Sequence, residues 1–114
     1  MDLIYKIVPV DLWREAEKMG AFVGAPADRS DEFIHFSTAA QVRATALKHF
    51  AGQRDLLLIG VDPLKGGENL RFEPSRDGAL CPHLYAPLDI AAASFVRPLP
   101  LDAEGVHCFQ DLIL

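Results

Sequence analysis

The chain has 114 residues, 50% of them hydrophobic and 24% charged, with 8 Gly and 8 Pro, which is the balance of one ordinary globular domain spanning residues 1–114 and is too little for two. Its 11 Lys and Arg against 16 Asp and Glu give a formal charge of −5, which disfavours extensive contact with a nucleic-acid backbone or an anionic lipid surface. No apolar run approaches the roughly 20 residues that cross a bilayer, and Asp2 opens a start without a cationic region, so a cytoplasmic protein with no membrane partner is expected.

Leu3 to Val8 is rich in β-branched and aromatic residues and stops at Pro9, which predicts a first strand. Leu12, Trp13, Ala16 and Met19 then follow helical spacing, with Gly20 as a C-cap, so a helix is expected from about 10 to 19. Ala21 to Glu32 has Gly24, Pro26, Asp28, Ser30 and Asp31 without periodicity and reads as a long loop. Phe33 to Phe36 is a short strand. Thr38 and Gln41 stand at capping-box spacing ahead of a helix over about 39–50 that buries Val42, Ala46, Leu47 and Phe50 and is closed by Gly52.

Asp55 to Val61 is the strongest strand, and its nearly continuous apolar run predicts burial on both faces. After a turn at residues 65–68, Leu70 to Glu73 alternates apolar and charged as a half-buried strand does. Pro74 to Pro82 reads as a loop and His83 to Tyr85 as an edge strand; Leu88 to Ala93 is given one helical turn, and Ser94 to Leu99 an edge strand ended by Pro98. The last fifteen residues carry no clear signal. The β-α-β-α order followed by short strands predicts an α+β domain with mostly antiparallel, short-stranded sheets and two helices.

Two segments carry the chemistry. Phe-Ile-His-Phe-Ser-Thr at 33 to 38 puts His35, Ser37 and the start of a helix within six residues, and a helix N-terminus is a ready phosphate site. The plain structural alternative has Ser37 or Thr38 capping that helix and His35 satisfied by the backbone. In the second segment, Cys81 to Leu88, His83 and Tyr85 share a strand face and offer rings that stack and hydrogen-bond, although a Tyr at a sheet edge needs no ligand. Arg71 and Glu73 lie on one strand face, and Glu73 is a general base if it is buried beside a histidine. Cys81, His83, His107 and Cys108 have the wrong spacing for zinc knuckles, so no metal is expected and both thiols are expected to stay reduced. The chain has no Walker motif, nucleophile elbow or His-Glu-x-x-His.

The Ile-Tyr-Lys-Ile strand, Trp13, Phe-Ile-His-Phe-Ser at 33 to 37, Thr45-Ala46, Leu-Leu-Leu-Ile at 56 to 59, Leu-Arg-Phe-Glu at 70 to 73 and Pro-His-Leu-Tyr-Ala-Pro-Leu at 82 to 88 together resemble the bacterial domain of unknown function family 952. The likeness runs from about residue 3 to 98, with Phe72 where the pattern favours Trp and Ala86 where it favours Gly. It implies a fold similar to the ADP-ribosyltransferases, which bind NAD as a substrate between two short antiparallel sheets. On that comparison His35 stands near the ring that stacks on nicotinamide, Tyr5 or Lys6 near the group that holds the ribose, and His83 to Asp89 on the strand that carries the catalytic glutamate. No acid lies between His83 and Leu88. The resemblance therefore leaves three expectations open: another reaction supported by His83 and Tyr85, an acid supplied by Glu73 from a neighbouring strand, or a cleft that only binds a nucleotide-like ligand or a protein partner. The expected site comprises His35, His83 and Glu73 as catalytic residues and Tyr5, Lys6, Ser37, Thr38 and Tyr85 as ligand-binding ones.

Overall fold

In the computed structural model, which describes residues 2–75 and 78–109, the chain begins with strand β1 (Ile4–Pro9). The fixed φ of Pro9 turns it directly into helix α1 (Val10–Met19), which Gly20 ends in the left-handed conformation at φ 85°. The segment expected as a loop from 21 to 32 instead forms a short strand β2 (Ala21–Phe22) and a six-residue helix α2 (Pro26–Asp31). Pro26 at the first helical position and Asp28 in the first turn, where Asp28 Oδ2 accepts the Ala25 N–H at 2.8 Å, explain that helix.

Strand β3 (Ile34–His35) leads to helix α3 (Val42–His49), which starts later than the expected 39. Residues 38–41 form a tight turn first, with the Thr38 carbonyl accepting the N–H of both Gln41 and Val42 and Gln41 Oε1 accepting the Thr38 N–H at 3.0 Å. The Thr38 and Gln41 spacing thus marks a genuine bond, placed before the helix. Strand β4 (Leu56–Val61) is buried at all six positions. A 3₁₀ segment, Pro63–Asn69, follows, and then strands β5 (Leu70–Pro74), β6 (Leu80–Leu84) and β7 (Leu88–Asp89), so that the helical turn expected within 88–93 is confined to its later part. A 3₁₀ turn, Ile90–Ala92, precedes the edge strand β8 (Ala93–Pro98). Of the unassigned tail, Leu101 and His107 form an antiparallel bridge, and residues 110–114 lie outside the described residues.

Strand β6 starts at Leu80, inside the stretch expected as a loop to Pro82, and it is the central strand of its sheet. A proline is tolerated there because its carbonyl accepts Phe36 N–H at 2.9 Å, so its nitrogen also points toward β3, at the place where the chain leaves β6 to pair with β1. No bond to β5 is lost.

The strands form a sheet in the order β1-β4-β8, a second in the order β3-β6-β5 and a ribbon of β2 with β7, antiparallel throughout. A bridge between Tyr5 and Ser37, with both N–H···O bonds at 2.8 Å, ties the edge of the first sheet to the segment following β3. Alternation along β4 feeds two cores. Leu57, Ile59 and Val61 pack with Trp13, Phe22, Ile34 and Leu84, while Leu56 and Leu58 pack with Tyr5, Ile7, Val42 and Ala46 of the α3 side. Burial on both faces, as the run from 55 to 61 predicts, is the outcome, and each fully buried residue of this size contributes about 1.5–3 kcal/mol. The protein is an α+β domain with antiparallel sheets, and among the described residues no helix is long and apolar enough to cross a membrane.

Candidate functional site

Strands β3, β6 and β5 align chemistry by register. His35 pairs with His83, His83 with Arg71, and Cys81 with Glu73, and residues directly opposite one another share a sheet face. The alternate positions Ile34 and Leu84 turn into the core, so the period of two separates apolar anchors from polar groups. Phe33 sits at the centre of the polar face, its ring 4.2 Å from His83, 4.5 Å from His35 and 5.2 Å from Tyr85, with the two imidazoles 5.5 Å apart.

Each histidine is oriented by a carboxylate. His83 Nδ1 lies 2.9 Å from Glu73 Oε1, which also accepts the Tyr85 hydroxyl at 2.6 Å, and the Arg71 guanidinium lies 4.9 Å over the Tyr85 ring. The bonds from Tyr85 and His83 lower the Glu73 pKa, and the same bond raises that of the Tyr85 hydroxyl. Glu73 thus reaches His83 and Tyr85 from the neighbouring strand.

The second pair is anchored more deeply. Asp28, only 2% exposed, receives the His35 ring at 2.7 Å, the His35 backbone N–H at 3.1 Å, Lys6 Nζ at 3.0 Å and the Ala25 N–H. Burial works to raise its pKa, but the His35 ring, the Lys6 charge and the two backbone donors outweigh it and bring Asp28 down to about 2. Burial lowers the Lys6 pKa, opposed by Asp28. Asp31 Oδ2 lies 3.0 Å from the other nitrogen of His35, Nε2.

His35, His83, Tyr85 and Glu73 are thus brought together, with Lys6 joined to them through Asp28. Tyr5 and Ser37 are not. Strand alternation sends Tyr5 into the α3-side core against Phe95, and the Ser37 hydroxyl is bonded to Thr45 Oγ1 at 2.9 Å. The cap position of α3 is Gln41, so Ser37 does not cap that helix and bonds to Thr45 of its first turn instead, while Thr38 serves the turn before it. The expected convergence of Ser37 with the histidines is corrected accordingly. Cavities of about 380 and 450 Å³ lie elsewhere, along Arg54 to Gly105 and along Arg43 to Phe109. Cys81 and Cys108 are free thiols, and among the described residues no group of three His, Cys, Asp or Glu is placed to hold a metal ion.

Sequence reasoning missed Asp28, Asp31 and Phe33 as site residues. The signal for Asp28 was present, because a proline followed two residues later by an acid is how a helix starts. Phe33 gave none, since its role depends on three strands meeting around it.

The structure therefore defines a small antiparallel α+β domain with two carboxylate-oriented histidines around an aromatic centre. The chain belongs to the family described as Protein of unknown function (DUF952), which matches residues 7–96. It is similar to protein CC0527 from Caulobacter crescentus: the crystal structure of that protein shares 43% identity and a TM-score of 0.89, over 93% of each chain. The solution structure of CC0527 shares 45% identity and a TM-score of 0.82, over 93% of this chain and 91% of that one. No curated protein matches the chain.

Proposed function

We propose that the Phe33, His83, Tyr85 and Glu73 face binds the nicotinamide end of NAD, or a related nucleotide, in a fold of the ADP-ribosyltransferase kind. The observation that carries this reading is the Glu73 carboxylate held by Tyr85 and His83 at the edge of a cluster of rings. Nicotinamide in NAD is flat and cationic, so it gains from ring faces and from a carboxylate at the ribose carbon, where positive charge builds as the glycosidic bond breaks. Nicotinamide leaves with the bonding electrons. With Nδ1 fixed on Glu73, the His83 Nε2 is the atom that takes the proton of the attacking group. Three carboxylates, Asp28, Asp31 and Glu73, face two fixed cations, Lys6 and Arg71, a balance that suits a cationic ring. Two short antiparallel sheets joined at one bridge support the fold assignment.

Binding without transfer is the second reading. It is favoured by His35, which has a carboxylate at both ring nitrogens. Titration of NAD and ADP-ribose by calorimetry, with free nicotinamide measured over time, tests both. Saturable NAD binding with nicotinamide release that Glu73→Gln slows at least 100-fold supports transfer, and binding without release supports the second reading. A Kd weaker than about 10 mM for every nucleotide tried, which is under roughly 3 kcal/mol, overturns the proposal.

A further inference from the structure

We infer that the Nε2 edge of His35 is an anchoring point for an oxyanion, a phosphate or carboxylate, which Asp31 fills with its own carboxylate until a ligand displaces it. The two carboxylates on His35 differ in kind. Asp28 is buried and held by four donors, so it fixes the plane of the imidazole whatever happens at the opposite edge. Asp31 is 55% exposed and is the last residue of a six-residue helix, and its one contact toward the site is the 3.0 Å approach to Nε2. A pair this exposed is weakly held. The histidine side chain is 36% exposed, so Nε2 is accessible once Asp31 turns away. With its Nδ1 proton on Asp28, His35 meets an oxygen at Nε2 as the imidazolium, which donates from both nitrogens, and a phosphate oxygen there takes the place of the carboxylate oxygen. The His35 ring centre lies 4.5 Å from that of Phe33 and 5.5 Å from that of His83. Asp31 is thus an internal competitor, and an incoming anion exchanges one charge contact for another.

The contact with an oxyanion stands on the His35 geometry alone; only the identity of the attached ring rests on the nucleotide reading. The test reads the His35 ring nitrogens in long-range ¹H–¹⁵N spectra of the full chain during titration with inorganic phosphate and, separately, with ADP and with nicotinamide. Phosphate is expected to move the Nε2 resonance, and Asp31→Asn to tighten phosphate about tenfold. Glu32 carries the same charge one residue further along, so Glu32→Gln is expected to change the phosphate Kd less than twofold and separates a local contact from a general charge effect. Asp31→Ser, checked by melting temperature, serves if the first variant does not fold. ADP binding far more tightly than phosphate through the same resonance identifies a nucleotide phosphate as the source, while equal affinities identify the free anion. Equal effects of the Asp31 and Glu32 variants, or a His35 ring indifferent to phosphate in both wild type and Asp31→Asn, overturn the inference. Nicotinamide shifts at Phe33 and Tyr85 without a phosphate response remove this inference and leave the nucleotide reading; the reverse result does the opposite.

Discussion

Asp28 shows how one side chain ties sequence-distant elements together. Its carboxylate joins Lys6 of β1, the N-terminus of α2 and both the backbone and the ring of His35 in β3. In Asp28→Asn the new NH₂ group must face either the Ala25 N–H or the Lys6 and His35 donors, and Lys6 loses its counter-charge. We expect a loss of about 3 kcal/mol in urea unfolding at pH 7, the size found when one partner of a buried pair is removed. Lys6→Met should cost less, because Asp28 keeps its two backbone donors and the imidazole. The depressed pKa adds a pH signature: relative to an unfolded value near 3.8, a folded value of about 2 stabilises the native state by about 2 kcal/mol above pH 4, and this is lost as pH falls toward 2. The stability gap between wild type and Asp28→Asn should therefore narrow from pH 5 to pH 2. A constant gap would show that Asp28 is not held as an anion.

Among the elements, β4 bears the most packing, and Gly60 marks where it is tightest. A Cβ built on Gly60 collides with the edge of the Phe95 ring of β8, beside the register shift between Gly60 and Val61. Gly60→Ala must push that ring off its contact with Tyr5, so we expect about 2 kcal/mol of destabilisation from overpacking. Gly52, at φ +72° with open space around it, isolates the backbone effect: Gly52→Ala should cost about 1 kcal/mol. Denaturant midpoints of the two variants compare steric and conformational cost directly, and a Gly60→Ala protein as stable as wild type would mean that β8 yields freely.

At the scale of the whole molecule, the two cores share β4, so its amides should open only with global unfolding. The β5 strand lies at a sheet edge, with Arg71 and Phe72 exposed, and should open earlier. Native-state hydrogen exchange is expected to rank Leu57 to Ile59 the slowest and residues 71–73 the fastest among the long strands. Exchange at β5 as slow as at β4 would contradict the division of packing between them. Because β5 supplies Glu73, the proposed site then contains one of the most mobile strands beside the rigidly held Asp28.

What local pattern could determine, the sequence determined: β1, α1 with its Gly20 cap, the doubly buried β4 and the edge position of β8 all follow from periodicity and breaker residues, whereas the half-buried alternation expected of β5 fails at Phe72, which is exposed at the sheet edge. The pairing of His35 with His83 was legible only as two similar motifs, and the contact of Glu73 with His83 only as one of several open alternatives. Register decided both, since sheet pairing sets residues nearly fifty positions apart opposite each other while a run of ten residues carries no trace of its partner. Tertiary structure likewise turned Tyr5 and Ser37 away from the cluster and brought Asp28 in. A side chain's direction is fixed by which face of the strand a core claims, and that claim is made by α3 and the second core, not by the strand itself.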